Sequence, residues 1–170
     1  MHTRISLAAA GMLACLAAQP ASAQSLSATA TMYITARVVK SCAIDSVSGL
    51  AFGDIEGTAQ TAQNETTPGS ISFRCSSGTS WALTADSGGN PGSTRRMVSQ
   101  TLATPEYLGY DLFSDPARTI GMSTPPGSGG PPNGQGTGAV QTVPIYGKIL
   151  AGSKPTPDNY LDDVILTIHY

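Results

Sequence analysis

The stretch Ser25–Val39, "SLSATATMYITARVV", is written with a period of two. Leu26, Ala28, Ala30, Met32, Ile34, Ala36 and Val38 are apolar, and the positions between them are polar but for Tyr33 and the closing Val39. Alternation of this kind marks a β-strand with one buried face. Fifteen such residues would span roughly 50 Å at ~3.3 Å per residue. An ordinary strand covers about 17–20 Å. The stretch is therefore more than twice the length of an ordinary strand: either it is a native first strand with a frayed N-terminus, or it is two strands written end to end.

What precedes it reads as an export signal. Arg4 supplies a positive start, and Ile5 to Ala18 is an apolar run too short to span a bilayer. Ala21-Ser22-Ala23 is a small-x-small cleavage site, which places the cut between Ala23 and Gln24. Met12-Leu13-Ala14-Cys15 faintly resembles a lipoprotein site, but the apolar run continues past it and the later site is better. Removing 23 residues from 170 leaves 147, enough for one domain with a real core. Loss of Arg4 leaves eight basic residues against 11 acidic ones, a net charge of −3. That balance gives no electrostatic case for nucleic acid or an anionic membrane.

Cys15 leaves with the leader, so Cys42 and Cys75 remain. An even pair in an exported chain reads as a disulfide. Closing a loop of about 34 residues would stabilise the fold by roughly 3–4 kcal/mol. Neither cysteine has a second Cys or a His at metal-ligand spacing.

Turn signals recur at short intervals after Cys42. Alternating strands are expected at Ile71–Cys75, Trp81–Ala85, Tyr107–Phe113, Val140–Ile149 and Val164–Tyr170, with a shorter one at Arg95–Ser99. Pro144 lacks an N–H, which predicts a free edge or a bulge beside it. Ser123–Gly138 is almost only Gly, Pro, Ser, Thr, Asn and Gln, and reads as a surface insertion. No 3.6-residue period persists, so the fold class is all-β, an immunoglobulin-like β-sandwich. Trp81 follows both cysteines instead of lying between them, so the domain is not of the antibody type.

The residues offer little chemistry. His169 is the single histidine after the leader and falls on the polar face of the last strand. Asp162 and Asp163 are adjacent, which in a strand would point them to opposite faces. Arg95-Arg96 is an isolated doublet, and no Gly-rich phosphate cradle opens a helix. No catalytic residue, metal site or cofactor is expected.

An ordered set of segments carries a resemblance. The signal and the alternating extension lead to "VVKSCAI" (38–44), "LAFGDI" (50–55) and "GSISFRCSSGTSWALTADSG" (69–88). "RRM" (95–97), "YLGYDLFSD" (107–115), "VPIYGKI" (143–149) and "YLDDVILTIHY" (160–170) follow. The set resembles the spore coat protein U family, secreted pilins of archaic, Csu-type chaperone–usher systems. It departs from the family in a longer loop at Pro125–Gly138 and in Asn159, where Gly is common.

The resemblance implies an incomplete sandwich that lacks one strand. A periplasmic chaperone would supply that strand first, and the extension of the next subunit would then replace it. Chaperone–pilin donor-strand complementation is a standing example of β-strand addition. Leu26, Ala28, Ala30, Met32 and Ile34 are the expected donor side chains. The expected layout is a signal peptide at 1–23, a donor extension at 24–34 and the sandwich domain at 35–170, whose first strand would cover about Thr35–Ile44. The implied partners are a periplasmic chaperone, an outer-membrane usher and neighbouring pilins joined head to tail, without nucleic acid. The implied product is a surface fibre for adhesion and biofilm formation. The competing readings are a monomeric secreted sandwich binding glycan or matrix through the 123–138 loop, and a spore-coat-like layer.

Overall fold

The computed structural model describes residues 25–58, 61–122 and 132–170. The chain divides into two units, 1–37 and 38–170. In the first, residues 25–37 carry no strand and their side chains are exposed.

The second unit is built of strands alone among its described residues. They are β1 (Cys42–Ser48), β2 (Gln63–Asn64), β3 (Gly69–Cys75), β4 (Ser80–Ala85), β5 (Arg95–Ser99), β6 (Tyr107–Phe113), β7 (Asn133–Gln135), β8 (Val140–Ile149), β9 (Tyr160–Leu161) and β10 (Leu166–His169). A seven-stranded antiparallel sheet has the order β1-β3-β8-β6-β5-β9, with β2 also beside β8. A three-stranded sheet has the order β10-β4-β7. The two inner faces form one core. Ile71 and Phe73 of β3, Leu108, Tyr110 and Leu112 of β6, and Ile145 and Ile149 of β8 come from the large sheet. Trp81, Leu83 and Ala85 of β4 face them from the small one. Phe73 and Trp81 meet edge to face, with ring centroids 4.8 Å apart.

The strongest alternations become strands where expected. β3 and β6 bury every second residue, and β4 buries Trp81, Leu83 and Ala85 with Thr84 besides, because each has neighbours on both edges and a core on one face. The N-terminal half of β8 pairs with β3 on one side, and β6 joins the other side only from Tyr146 onward. Pro144 therefore sits where one edge is free, as its missing N–H requires.

Two expectations are corrected. The first native strand is Cys42–Ser48, not Thr35–Ile44. β3 ends at Cys75, opposite Cys42, so the alternating residues before Cys42 have no strand to pair with there. A strand needs a partner as well as a pattern. The segment 132–138 is not a free insertion. Asn133–Gln135 forms β7 against β4, and Gly136 donates its N–H to the Thr79 carbonyl. Gly134 faces Trp81, where a Cβ would lie 2.8 Å from the ring, so the lack of a side chain is what lets β7 close on β4. Residues 123–131 lie outside the described residues. The two arginines of the doublet part company: Arg95 is buried and donates to the carbonyls of Ala85 and Asp86, whereas Arg96 stacks on Tyr107 at 3.8 Å.

Candidate functional site

Antiparallel partners share a face of the sheet, so the register assigns the inner face of β1. Cys42 opposes Cys75, Ile44 opposes Phe73, and Val47 opposes Ile71. A β-bulge between Ile44 and Ser46 shifts the phase, which puts Val47 on the same side as Ile44. All three point to the core side. Phe73 and Ile71 are 0% exposed there, yet Ile44 is 52% and Val47 58% exposed. The cover supplied by the small sheet stops at β3.

The small sheet ends at β10. Leu166 and Ile168 oppose Ala85 and Leu83 and so face inward, but both are only half-buried. β10 pairs with β4 alone and β1 with β3 alone among the described residues. An apolar cleft of about 800 Å³ opens between the layers. Its floor is Leu108, Tyr110, Leu112, Ile145 and Ile149, and its walls include Val47, Leu50, Phe52, Val164 and Leu166. Phe52 stands edge-on to Tyr110, with centroids 6.0 Å apart. The site thus joins exposed apolar side chains to two backbone edges with unpaired N–H and C=O groups. Chemically, it can take one more extended segment with alternating apolar side chains.

One polar group interrupts the floor. The Tyr110 hydroxyl donates to Asp162 Oδ2 at 2.7 Å. Burial first, and then this carboxylate, push the phenol well above the usual tyrosine range. Asp162 lies between β9 and β10 instead of inside a strand, and it is a hydrogen-bond anchor, not half of a carboxylate pair. Its partners Asn90 and Tyr110 lie 72 and 52 residues away, so no local pattern could reveal it. His169 is half-buried, with its Nε2 3.0 Å from Thr84 Oγ1.

The expected site residues fall out unevenly. Cys42 and Cys75 form a disulfide between directly opposed residues, with Cα atoms 4.1 Å apart. Leu26, Ala28, Ala30, Met32 and Ile34 are exposed and in no strand. Ala23 and Gln24 lie outside the described residues. No group of three His, Cys, Asp or Glu residues could hold a metal ion among the described residues. The cleft wall at Leu50–Ile55 was missed as a functional element. Its apolar run was visible, but its place beside β6 was not.

A family model described as Spore Coat Protein U domain matches residues 28–167. The chain belongs to the Spore Coat Protein U family. The matched span of this SCPU protein starts inside the alternating extension and ends within β10. Among solved structures, it is similar to a chain in the crystal structure of the CsuC-CsuE chaperone-tip adhesion subunit pre-assembly complex from archaic chaperone-usher Csu pili of Acinetobacter baumannii. The TM-score is 0.51 at 22% identity, over 78% of the SCPU protein and 40% of the other chain. That likeness is one of fold, and the SCPU protein matches less than half of the other chain's length. No curated protein matches the SCPU sequence.

Proposed function

We propose that this SCPU protein is a structural, non-enzymatic pilus subunit of a chaperone–usher system. It is exported through the periplasm and polymerises at the cell surface by donor-strand complementation. The observation that carries the reading is the uncovered inner face of β1, where Ile44 and Val47 lie exposed beside an apolar cleft. In this reading residues 1–23 are a signal peptide cut between Ala23 and Gln24. Residues 24–34 are the donor for another copy, and the rest forms the acceptor domain. Leu26, Met32 and Ile34 would each contribute about 1.5–3 kcal/mol on full burial. Ala28 and Ala30 would fit narrower parts of the cleft. New hydrogen bonds to the free edges would add about 1 kcal/mol each.

The partners on this reading are a periplasmic chaperone that lends the missing strand, an outer-membrane usher, and neighbouring subunits. A fibre for adhesion and biofilm formation is the expected product. The fold shared with a chain of a chaperone–subunit complex supports these assignments. The test is to delete Ser25–Ile34 and add a synthetic peptide of that sequence. The truncated protein should be unstable or bound to a chaperone, and the peptide should bind it and raise its melting temperature. A truncated protein that is fully stable and indifferent to the peptide would sink the reading.

A further inference from the structure

Beside the cleft, a second set of contacts joins two loops across the molecule. The β4–β5 loop begins at Asp86, whose N–H donates to the Ile165 carbonyl at 3.0 Å. Asp86 Oδ1 accepts in return from the Ile165 N–H at 2.9 Å and from the Gly88 N–H at 3.0 Å. The Gly89 N–H donates to the Asp163 carbonyl at 2.9 Å. Asn90 donates to Asp162 Oδ1 through both its backbone N–H and its side-chain amide, and Tyr110 donates to Asp162 Oδ2. The loop is shaped around this carboxylate. Gly88 has φ +81°, and a Cβ there would lie 2.0 Å from Asp162 Oδ2. Arg95 fixes the start of the loop through the Ala85 and Asp86 carbonyls.

These bonds grip residues 162–165, which lead directly into β10. β10 itself has four residue pairs with β4 and no partner on its other edge among the described residues. A four-residue terminal strand with one neighbour is prone to fray. Asp162, Asp163, Val164 and Leu166 also line the cleft. The grip and the receptive edge are thus the same piece of chain.

We infer that Asp86, Asn90, Tyr110 and Asp162 form a clasp that positions β10 for uptake of a donor strand, holding its free edge in register while the cleft is empty. The inference rests on the donor-strand reading. Asp86 and Asn90 lie outside the cleft lining and act on the donor through β10, whereas Tyr110 and Asp162 also line the cleft, so the exchange of β10 is the readout that isolates positioning. The Glu65–Arg118 ion pair is the control. Glu65 is buried and accepts from Arg118 and from the Gly147 N–H, but neither side chain lines the cleft.

The test uses the full chain carrying Met32→Asp, whose spoiled donor leaves the clefts of other copies unfilled, and adds Tyr110→Phe, Asp162→Ala, Asp162→Asn or Glu65→Gln. Hydrogen exchange of the Leu166–His169 amides is read without peptide. The uptake rate of a labelled peptide of residues 25–34 is then measured. Tyr110→Phe and Asp162→Ala should speed β10 exchange and slow uptake by about tenfold, the scale of a lost bond to a charged group. Asp162→Asn should restore part of both, because its amide oxygen still accepts from Asn90. Glu65→Gln should lower the melting temperature without the selective loss at β10. If Asp162→Ala does not fold, Tyr110→Phe decides. The clasp is overturned if β10 protection falls no further than in Glu65→Gln, or if uptake is unchanged when β10 loosens. Absence of uptake by the Met32→Asp chain with no further change overturns the donor-strand reading itself. The hold of the clasp on β10 is then decided by exchange alone.

Discussion

Glu65 shows what one buried charge does here. Its carboxylate takes bonds from Arg118 Nε at 2.8 Å and from the Gly147 N–H at 2.9 Å. Burial pushes its pKa up, but the bonds from Arg118 and Gly147 outweigh this and hold it below the ordinary carboxylate value. A depressed folded pKa gives stability that is fully present above the unfolded value, about 4.3. That stability is lost as pH falls through the folded value. Asp158 behaves alike at its half-buried position, lowered to about 2 by the Thr101 backbone N–H and hydroxyl. Acid titration of the wild-type chain should therefore show stability falling from about pH 4 downward. Glu65→Gln should be less stable at neutral pH by on the order of 2 kcal/mol. It should also show a shallower slope in that window, read by denaturant melts at successive pH values. An equal slope in both proteins would remove Glu65 from the account.

At the scale of elements, β1 is held on one edge only among the described residues, and the disulfide fastens that edge. Replacing Cys42 and Cys75 with Ser should cost about 2–4 kcal/mol. It should also raise exchange in β1 more than in β8, which has strands on both sides. β7 depends on a missing side chain. Gly134→Val should break the β4–β7 pairing and cost about 1–3 kcal/mol, because a Cβ already meets the Trp81 ring. A Gly134→Val protein with unchanged melting temperature would show that β7 adds little. The same two strands mark where sequence reading stops. β3, β4, β6 and β8 were legible because alternation and burial coincide in them. The start of β1 was not, because the alternation continues upstream of Cys42 past the end of its partner β3. β7 was hidden by a composition that reads as loop, and its strand state comes from β4 and Trp81. The disulfide was legible from an even pair of cysteines together with the expectation that the chain is exported. The clasp at Asp162 was not, because its partners are distant in sequence.

Over the whole molecule, the proposed reading pairs a domain short of one strand with an extension that has one to spare, which is a head-to-tail joint. Such a joint does not close on itself, and repeated it makes an open filament. The opening puzzle of an over-long alternating stretch then has a physical answer. On the proposed reading, Cys42–Ser48 belongs to the chain's own large sheet and the residues from Leu26 to Ile34 are left for another copy. The most direct test mixes two broken copies and follows their mass by sedimentation. Met32→Asp places a charge in the donor, and Val47→Asp places one at the mouth of the cleft. An unpaired charge buried in such a joint is strongly unfavourable. Val47 is exposed in the single chain, so its replacement should leave the domain folded. Each variant alone should stay monomeric while the wild-type chain polymerises. Together they should form a one-to-one dimer, with the intact donor of the Val47→Asp copy seated in the intact cleft of the Met32→Asp copy. A mixture that remains monomeric, or a single variant that polymerises like the wild type, would contradict the account.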